Sequence, residues 1–469
     1  MRFVLVLLGI LTAALAPASA QVELNIQKCR EMALESSKKM AIADKQLLKA
    51  GYDKKAYRAN FFPKLSAMGM YAYMQKDYSF KIEGGNLPTF VPGENTLVPN
   101  YLLDANGKVV VGADGRPVFA QYAFMPDIAI TMGLDNAYTL GAVLEMPVYM
   151  GGKIRNAYQM AEVGTEMAKL NVNYNRAEVI MEVENAFWQY VRLQELELSA
   201  QKYREVVSEL VHNLTDAQQV GMVSKNDLLK AQVKQNEAEL LLQKTQNGKR
   251  LAGMNLCRVI GLDLNTAVKA ADSLTGFVTP GVLESGVVIT NRPEYSILDK
   301  EVELKERQVN IVRSDFLPQL GVSVSYGYTD GINVNGETDG IASFMAMASL
   351  KVPVFHWSEG RNKIKAMRAE QEMTELKKED AEQMMVLEAT KARFNVEDAL
   401  TRVKLTEHSL LQAEENLAES KNKYELGLEI LTNYMEAQAQ WQKAWSDWID
   451  AKAELRLSET HYLKATGRL

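Results

Sequence analysis

The chain has 469 residues, of which 24% are charged and 47% apolar, and a formal net charge of −6. That length allows several domains, while the acidic balance argues against a nucleic-acid partner, which needs a basic face to neutralise phosphates. Two cysteines, Cys29 and Cys257, are too few for a disulfide framework and leave two options open, one bridge or two buried thiols.

The N-terminus reads as a signal peptide over residues 1–20. Arg2 supplies the positive end, Phe3 to Leu15 an apolar run, and Ala18-Ser19-Ala20 a small-residue cleavage site. Cleavage at about Ala20 leaves Gln21 first, with no cysteine there to carry a lipid. The apolar run is short for a spanning helix, and no later stretch has 18 consecutive apolar residues. A secreted chain without a spanning helix can be periplasmic or extracellular, or it can cross a membrane as a β-barrel.

Downstream the chain repeats itself. Pro147-Val148-Tyr149 recurs 206 residues later as Pro353-Val354-Phe355, and Gly221 with Ala231-Gln232 recurs at the same offset as Gly427 with Ala437-Gln438. Phe61-Phe62-Pro63-Lys64-Leu65 resembles Phe316-Leu317-Pro318-Gln319-Leu320 at a longer offset, which puts 49 extra residues into the first copy. Internal repetition of this kind marks copies of one structural unit.

The first copy, residues 21–264, is predicted to hold a helix, a strand pair at about 64–75 and 136–149, and a helical hairpin over 152–258. Its extra residues form a surface loop at about 76–135. Gly84-Gly85, Pro92-Gly93, Asn106-Gly107 and Asp114-Gly115 are turn signals there, and Val109-Val110-Val111 is a candidate short strand. A linker over 265–290 leads to the second copy, residues 291–469. That copy holds a helix, strands at about 319–329 and 342–355, and a hairpin over 361–465. Val322, Val324, Tyr326 and Tyr328 alternate with Ser323, Ser325 and Gly327, the period of a strand with two unlike faces.

The long helices carry heptad seams. Leu193, Leu196, Ala200, Tyr203, Val207, Leu210, Leu214 and Ala217 step by three and four, and Val396, Val403, Leu410, Leu417 and Tyr424 step by seven. Each hairpin turns at a glycine, Val220-Gly221-Met222 and Leu426-Gly427-Leu428, where a left-handed residue ends a helix. Ser224 with Asp227 starts the next helix as a capping box would. The four histidines, His212, His356, His408 and His461, are scattered without metal-ligand spacing. Without nucleotide-binding or nucleophile motifs either, the chain reads as no enzyme, with no cofactor and no metal.

Helix, strand pair and long helical hairpin, twice over, resembles the TolC-like outer-membrane efflux proteins. The local matches are Asn291-Arg292-Pro293-Glu294-Tyr295, Arg313-Ser314-Asp315-Phe316-Leu317-Pro318, Pro147 to Lys153 and Leu228-Leu229-Lys230-Ala231-Gln232. The resemblance covers nearly the whole mature chain apart from the 75–130 region. It implies a mainly α fold with a membrane β-barrel, in which four strands per subunit complete a twelve-stranded barrel in a homotrimer. It also implies an outer-membrane location with a periplasmic extension, contact with outer-membrane lipid, and passive export of small molecules or polypeptides in a tripartite pump or type I secretion system. A periplasmic adaptor would dock on the tips, Val220, Gly221, Met222, Leu426, Gly427 and Leu428, and link them to an inner-membrane transporter. A periplasmic gate would involve Asn226, Asp227, Tyr424, Asn433 and Glu436. Some members have arginine where this chain has Glu429, which unsettles any one gate ion pair. The rival readings are a periplasmic coiled-coil adaptor or scaffold and a surface adhesin that binds through the 75–130 loop.

Overall fold

A computed structural model describes residues 22–274, 283 and 288–469. The predicted signal peptide and its cleavage site lie outside the described residues, as does part of the predicted linker. In chain order the elements begin with β1 (Val22–Leu24), α1 (Ile26–Ser36) and α2 (Lys38–Ala59). Then come β2 (Lys64–Ala72), β3 (Tyr78–Ile82), β4 (Gly85–Pro88), β5 (Phe90–Pro92), β6 (Leu97–Pro99), β7 (Tyr122–Met125) and β8 (Ile128–Met150). The first helical hairpin is α3 (Lys153–Gln219) with α4 (Lys225–Ile260), followed by β9 (Val268–Ala270). The second half holds α5 (Pro293–Ser314), β10 (Gln319–Val334), β11 (Ile341–Lys351), α6 (Glu359–Glu425) and α7 (Leu431–Ala465).

These elements form two units. The helical unit takes the chain up to Tyr57, Arg155–Val312 and Ser358–Leu469. Its long members, α3 and α6, have 67 residues each, roughly 100 Å at 1.5 Å per residue. No proline interrupts either one, and most of their stability comes from packed seams and not from helix propensity. The predicted seam residues Ala200, Tyr203, Val207, Leu210 and Leu214 are buried on α3, as are Val396, Val403 and Leu410 on α6. Leu193, Leu196, Leu417 and Tyr424 are half-buried at the margins of these clusters.

The largest core gathers α1, α3, α4 and α7 around Phe187, Val191, Leu256, Ile260 and Ile449. Parallel pairing of β1 with β9 covers one side of it, Val22 opposite Val268. Cys29 and Cys257 both lie in this core as free thiols. Of the two options the cysteine count leaves open, the structure shows the thiols. Arg192 pairs with Asp450 at 2.6 Å, and Ser199 Oγ donates to Gln442 Oε1 at 3.1 Å, so polar contacts as well as apolar ones hold α7 against α3. No helix among the described residues is long and apolar enough to cross a membrane.

The β unit takes Arg58–Ile154 and Arg313–Trp357. Its main sheet runs β11-β10-β8-β2, every pair antiparallel, and β3 pairs with the early part of β8. Two of the strand boundaries differ clearly from the sequence-based expectation, the start of β8 and the end of β11. β8 has 23 residues and starts at Ile128, inside the predicted loop, because β3 gives Ile128–Met132 a pairing partner. Pro147 lies within β8 at a register irregularity, where Leu320 faces Tyr149 and the next residue, Gly321, faces Pro147; an irregularity tolerates the missing N–H. In the second copy β11 stops at Lys351 and does not reach residue 355, just ahead of Pro353. The predicted Val109–Val111 strand is only a pair of isolated bridges, Leu103 with Val109 and Val111 with Pro117. The insertion is otherwise built from short hairpins, β4 with β7 and β5 with β6, and Phe119 lies against Tyr101 with ring centroids 4.9 Å apart.

Candidate functional site

The β unit has the first candidate surface. Residues paired across antiparallel strands share a face, and neighbours along a strand alternate between faces. The row Leu65, Leu144, Val324, Ala346 therefore lies on one face, with Tyr71 and Tyr138 paired on it nearby. Leu65, Leu140, Tyr326, Phe344 and Leu350 of this face are all exposed. The opposite face carries Ser66, Gly141, Ser323, Ser325, Gly327 and Ser343. One face is apolar; the other carries mostly small and polar residues on the inner strands and Met68, Met70, Met345 and Met347 on the edge strands.

Tyrosines mark one end of the apolar face. Tyr71 Oη donates to Asn136 Oδ1 at 2.8 Å, and the hydroxyls of Tyr138 and Tyr328 both reach Asp330 Oδ2 at 3.2 Å. Rings on the apolar side with wet hydroxyls fit an aromatic girdle at a membrane interface. Toward the other end, Tyr149 is exposed, and Phe355 and Trp357 are exposed with centroids 5.0 Å apart. The edge strands β2 and β11 have nine and eleven residues, matching the roughly 9–11 residues of a tilted membrane-spanning strand.

Both edges of the main sheet are unpaired along β11 and along β2. An even number of antiparallel strands leaves those edges running in opposite directions, so β2 of one copy can pair antiparallel with β11 of the next.

The helical unit holds the second candidate surface, the hairpin turns. Gly221 N–H donates to Gln218 O at 3.0 Å and Met222 N–H to Ala217 O at 2.9 Å; Gly427 and Leu428 repeat this toward Tyr424 O and Lys423 O. Both turns are Schellman motifs. Gly221 has φ 78° and Gly427 φ 74°, while a Cβ at either would meet nothing within 4 Å. Backbone angle, and not close approach within the chain, is what requires glycine here. Val220, Met222, Leu426 and Leu428 beside them are strongly exposed.

The two turns share one apolar cluster of Leu210, Leu214, Ala231, Leu431, Tyr434 and Met435, with Tyr424 and Leu228 packed at its edge. Tyr424 stacks on Tyr434. Burial, then the nearby Asp227 charge, pushes the Tyr424 hydroxyl pKa above its ordinary value. Asp227 itself closes the capping box: its N–H donates to Ser224 Oγ at 3.1 Å, and its carboxylate accepts from Ser224 Oγ at 2.8 Å and Lys230 Nζ at 3.2 Å. Those bonds, the serine first and the lysine second, hold the Asp227 pKa below the usual carboxylate value. Asn226, Asn433 and Glu436 are exposed, and Glu436 accepts from Gln440 Nε2 at 3.3 Å. Glu429 is tied back to Ser420 Oγ at 2.6 Å. The structure thus brings Tyr424 and Asp227 together and leaves Asn226, Asn433 and Glu436 on the surface. Sequence reading missed Tyr434, although its place ten residues after Tyr424, across a glycine turn, is a signal that the rings could meet.

Residues 287–468 match the profile of the outer membrane efflux protein family. The match lies within the second half of the chain. TolC, an outer membrane protein of Escherichia coli strain K12, is 24% identical over 202 residues, spanning 42% of this chain and 40% of TolC. The fold extends over the first repeat as well. The CmeC outer membrane channel of Campylobacter jejuni superposes with a TM-score of 0.71 at 16% identity, covering 94% of this chain and 85% of CmeC. VceC, an outer membrane protein of Vibrio cholerae, gives 0.70 at 15% identity, covering 94% and 96%. The fold is therefore similar to that of solved outer-membrane channels.

Proposed function

We propose that this protein is the outer-membrane channel of a tripartite efflux pump or type I secretion system, a passive exit duct built by three copies. The observation that carries the reading is the four-strand path β11-β10-β8-β2 of the main sheet, with two unlike faces and two unpaired, oppositely running edges. Open edges are not tolerated in lipid, so a single copy cannot insert stably, whereas three copies give twelve strands and no edge. The apolar face then meets lipid and the serine and glycine face lines the lumen.

The helical unit supports the same assembly. Leu229, Val233, Leu240 and Leu251 on α4 form an exposed stripe with near-heptad steps, and Met373, Leu376, Met384, Leu387, Phe394 and Leu405 form another on α6. Such stripes are seams awaiting helices, and neighbouring copies would supply them. The exposed apolar groups at the Gly221 and Gly427 turns would be buried by a periplasmic adaptor, which in turn meets an inner-membrane transporter. Tyr424, Asp227, Asn226, Asn433 and Glu436 would form the closed periplasmic end. The protein is a conduit in this reading and performs no catalysis.

Mass measurement of the detergent-purified mature protein, followed by single-channel recording in planar bilayers, tests it. A trimer that conducts is expected. A water-soluble monomer that never conducts sinks the channel and favours the adaptor or scaffold; a surface-bound protein that does not conduct favours the adhesin.

A further inference from the structure

The polar face of the sheet has one feature that lining a water-filled lumen does not require. Met68 and Met70 on β2, and Met345 and Met347 on β11, all lie on that face. Met68 shares its row with Gly141, Gly327 and Ser343, and Met345 shares its row with Ser66. These methionines belong to the two edge strands only; the inner-strand positions in their rows are glycine, serine, threonine, valine and glutamate. All four side chains are more than half exposed.

We infer that these methionines form a soft-metal site at each junction between subunits, taking a monovalent, thioether-preferring cation such as Cu(I) or Ag(I). Thioether sulfur is a soft ligand that selects such ions over Na⁺, K⁺ or Mg²⁺. Residues two apart on a strand lie roughly 7 Å apart on the same face, and methionine has three rotatable bonds. Met68 with Met70, and Met345 with Met347, can therefore each converge two sulfurs on one ion, whatever the register across the junction. When β2 of one copy pairs with β11 of the next, both pairs flank one strand boundary. Cross-strand and diagonal neighbours at about 5–8 Å are within reach of long side chains. The small residues on β8 and β10 leave the thioethers free to swing. The site completes only in the assembly and so rests on the proposed channel. An ion held by exposed thioethers in an open lumen exchanges readily, which suits a transient stop for a transported ion.

The test uses the full mature trimer with Cys29→Ala and Cys257→Ala, which removes competing thiols. Ag⁺ is titrated calorimetrically in chloride-free buffer, and single-channel current is recorded before and after its addition. Binding with one or two ions per junction and partial current block are expected. The Met68→Leu, Met70→Leu, Met345→Leu and Met347→Leu combination should keep the trimer and its K⁺ conductance and weaken Ag⁺ binding about tenfold or more, equivalent to about 1.4 kcal/mol. Equal Ag⁺ affinity in the substituted trimer overturns the site while leaving the channel intact. Loss of trimer and conductance in the unsubstituted protein sinks both. Should the combined variant not assemble, ¹³C-methyl spectra of the unsubstituted trimer decide. Shifts confined to the ε-methyl signals of these four methionines support the site, and shifts elsewhere or none reject it.

Discussion

Tyr424 and Tyr434 stack across the second hairpin turn, ring centroids 5.3 Å apart and planes inclined by 20°. The stack ties the last turn of α6 to the first turn of α7. Tyr434 lies in the cluster that also receives Leu210 and Leu214 from the first hairpin, so one aromatic pair connects both hairpins at their ends. An offset pair of this kind contributes about 0.5–1.5 kcal/mol beyond its burial.

Tyr424→Ala is expected to loosen that end of the helical unit without unfolding it. Amide exchange should quicken around 420–436 by about tenfold, while thermal unfolding of the whole protein shifts little. If the proposed gate is correct, the variant also conducts more often in planar bilayers, and Tyr424→Phe does not. Unchanged conductance in the alanine variant, with exchange clearly faster, would remove Tyr424 from the gate.

Gly427→Ala and Gly221→Ala should each cost about 1–2 kcal/mol locally, since both positions need a left-handed backbone that a Cβ disfavours. The loss would appear as faster exchange in the adjoining helix ends. Gly51→Ala is the counter-case: Gly51 lies inside α2 with nothing within 4 Å of an added Cβ, and the change should stabilise α2 by about 1 kcal/mol. Equal effects at the three sites would refute the backbone argument.

The α4 cap should weaken in acid. The Asp227 pKa is lower when folded than its ordinary 3.8, through Ser224 and Lys230. A depressed carboxyl contributes stability in full above its ordinary pKa and loses it as pH falls through the folded value. Exchange protection at the start of α4 is therefore expected to hold at pH 6 and fall below about pH 4, and Asp227→Asn should flatten that dependence. A pH response that survives in the asparagine variant would assign it to another group.

Burial pushes the Cys29 thiol up to about 12 from an ordinary 9.0, with the Asp272 and Glu184 charges adding to the effect. At pH 8 almost no thiolate forms, and alkylation of Cys29 in the native protein is expected to be negligible and to become rapid after unfolding. The sign on stability is opposite to that of Asp227. A raised pKa contributes fully below pH 9 and is lost as pH rises toward 12. Rapid native-state labelling of Cys29 at pH 8 would show that this core is open.

The periodic features of the sequence carried much of this. Heptad spacing in Val207, Leu210 and Leu214 named residues that are buried, because a helix seam is a local pattern with one geometric solution. Gly221 and Gly427 marked the turns, because few residues adopt a left-handed backbone. Alternation in Val322 to Tyr328 revealed a two-faced strand, but strand ends depended on partners. β8 reaches back to Ile128 only because β3 pairs with it, and β11 stops ahead of Pro353 while Pro147 is absorbed at an irregularity in β8. Among the candidate gate residues, proximity of Tyr424 to Asp227 was not legible, since they come from separate hairpins.

By itself the sequence determined where long seam-bearing helices run, where they turn, and that Val322 to Tyr328 forms a two-faced strand. Those properties are set within a few turns or a few strand positions, where side-chain spacing and backbone preference act locally. Only the tertiary structure decided that strands from both copies share one sheet with two open, opposed edges, that Tyr434 covers Tyr424, and that four methionines occupy the same face of the two edge strands. Such relations join residues far apart in the chain, and register across paired strands, which no local pattern encodes, is what brings them onto one surface.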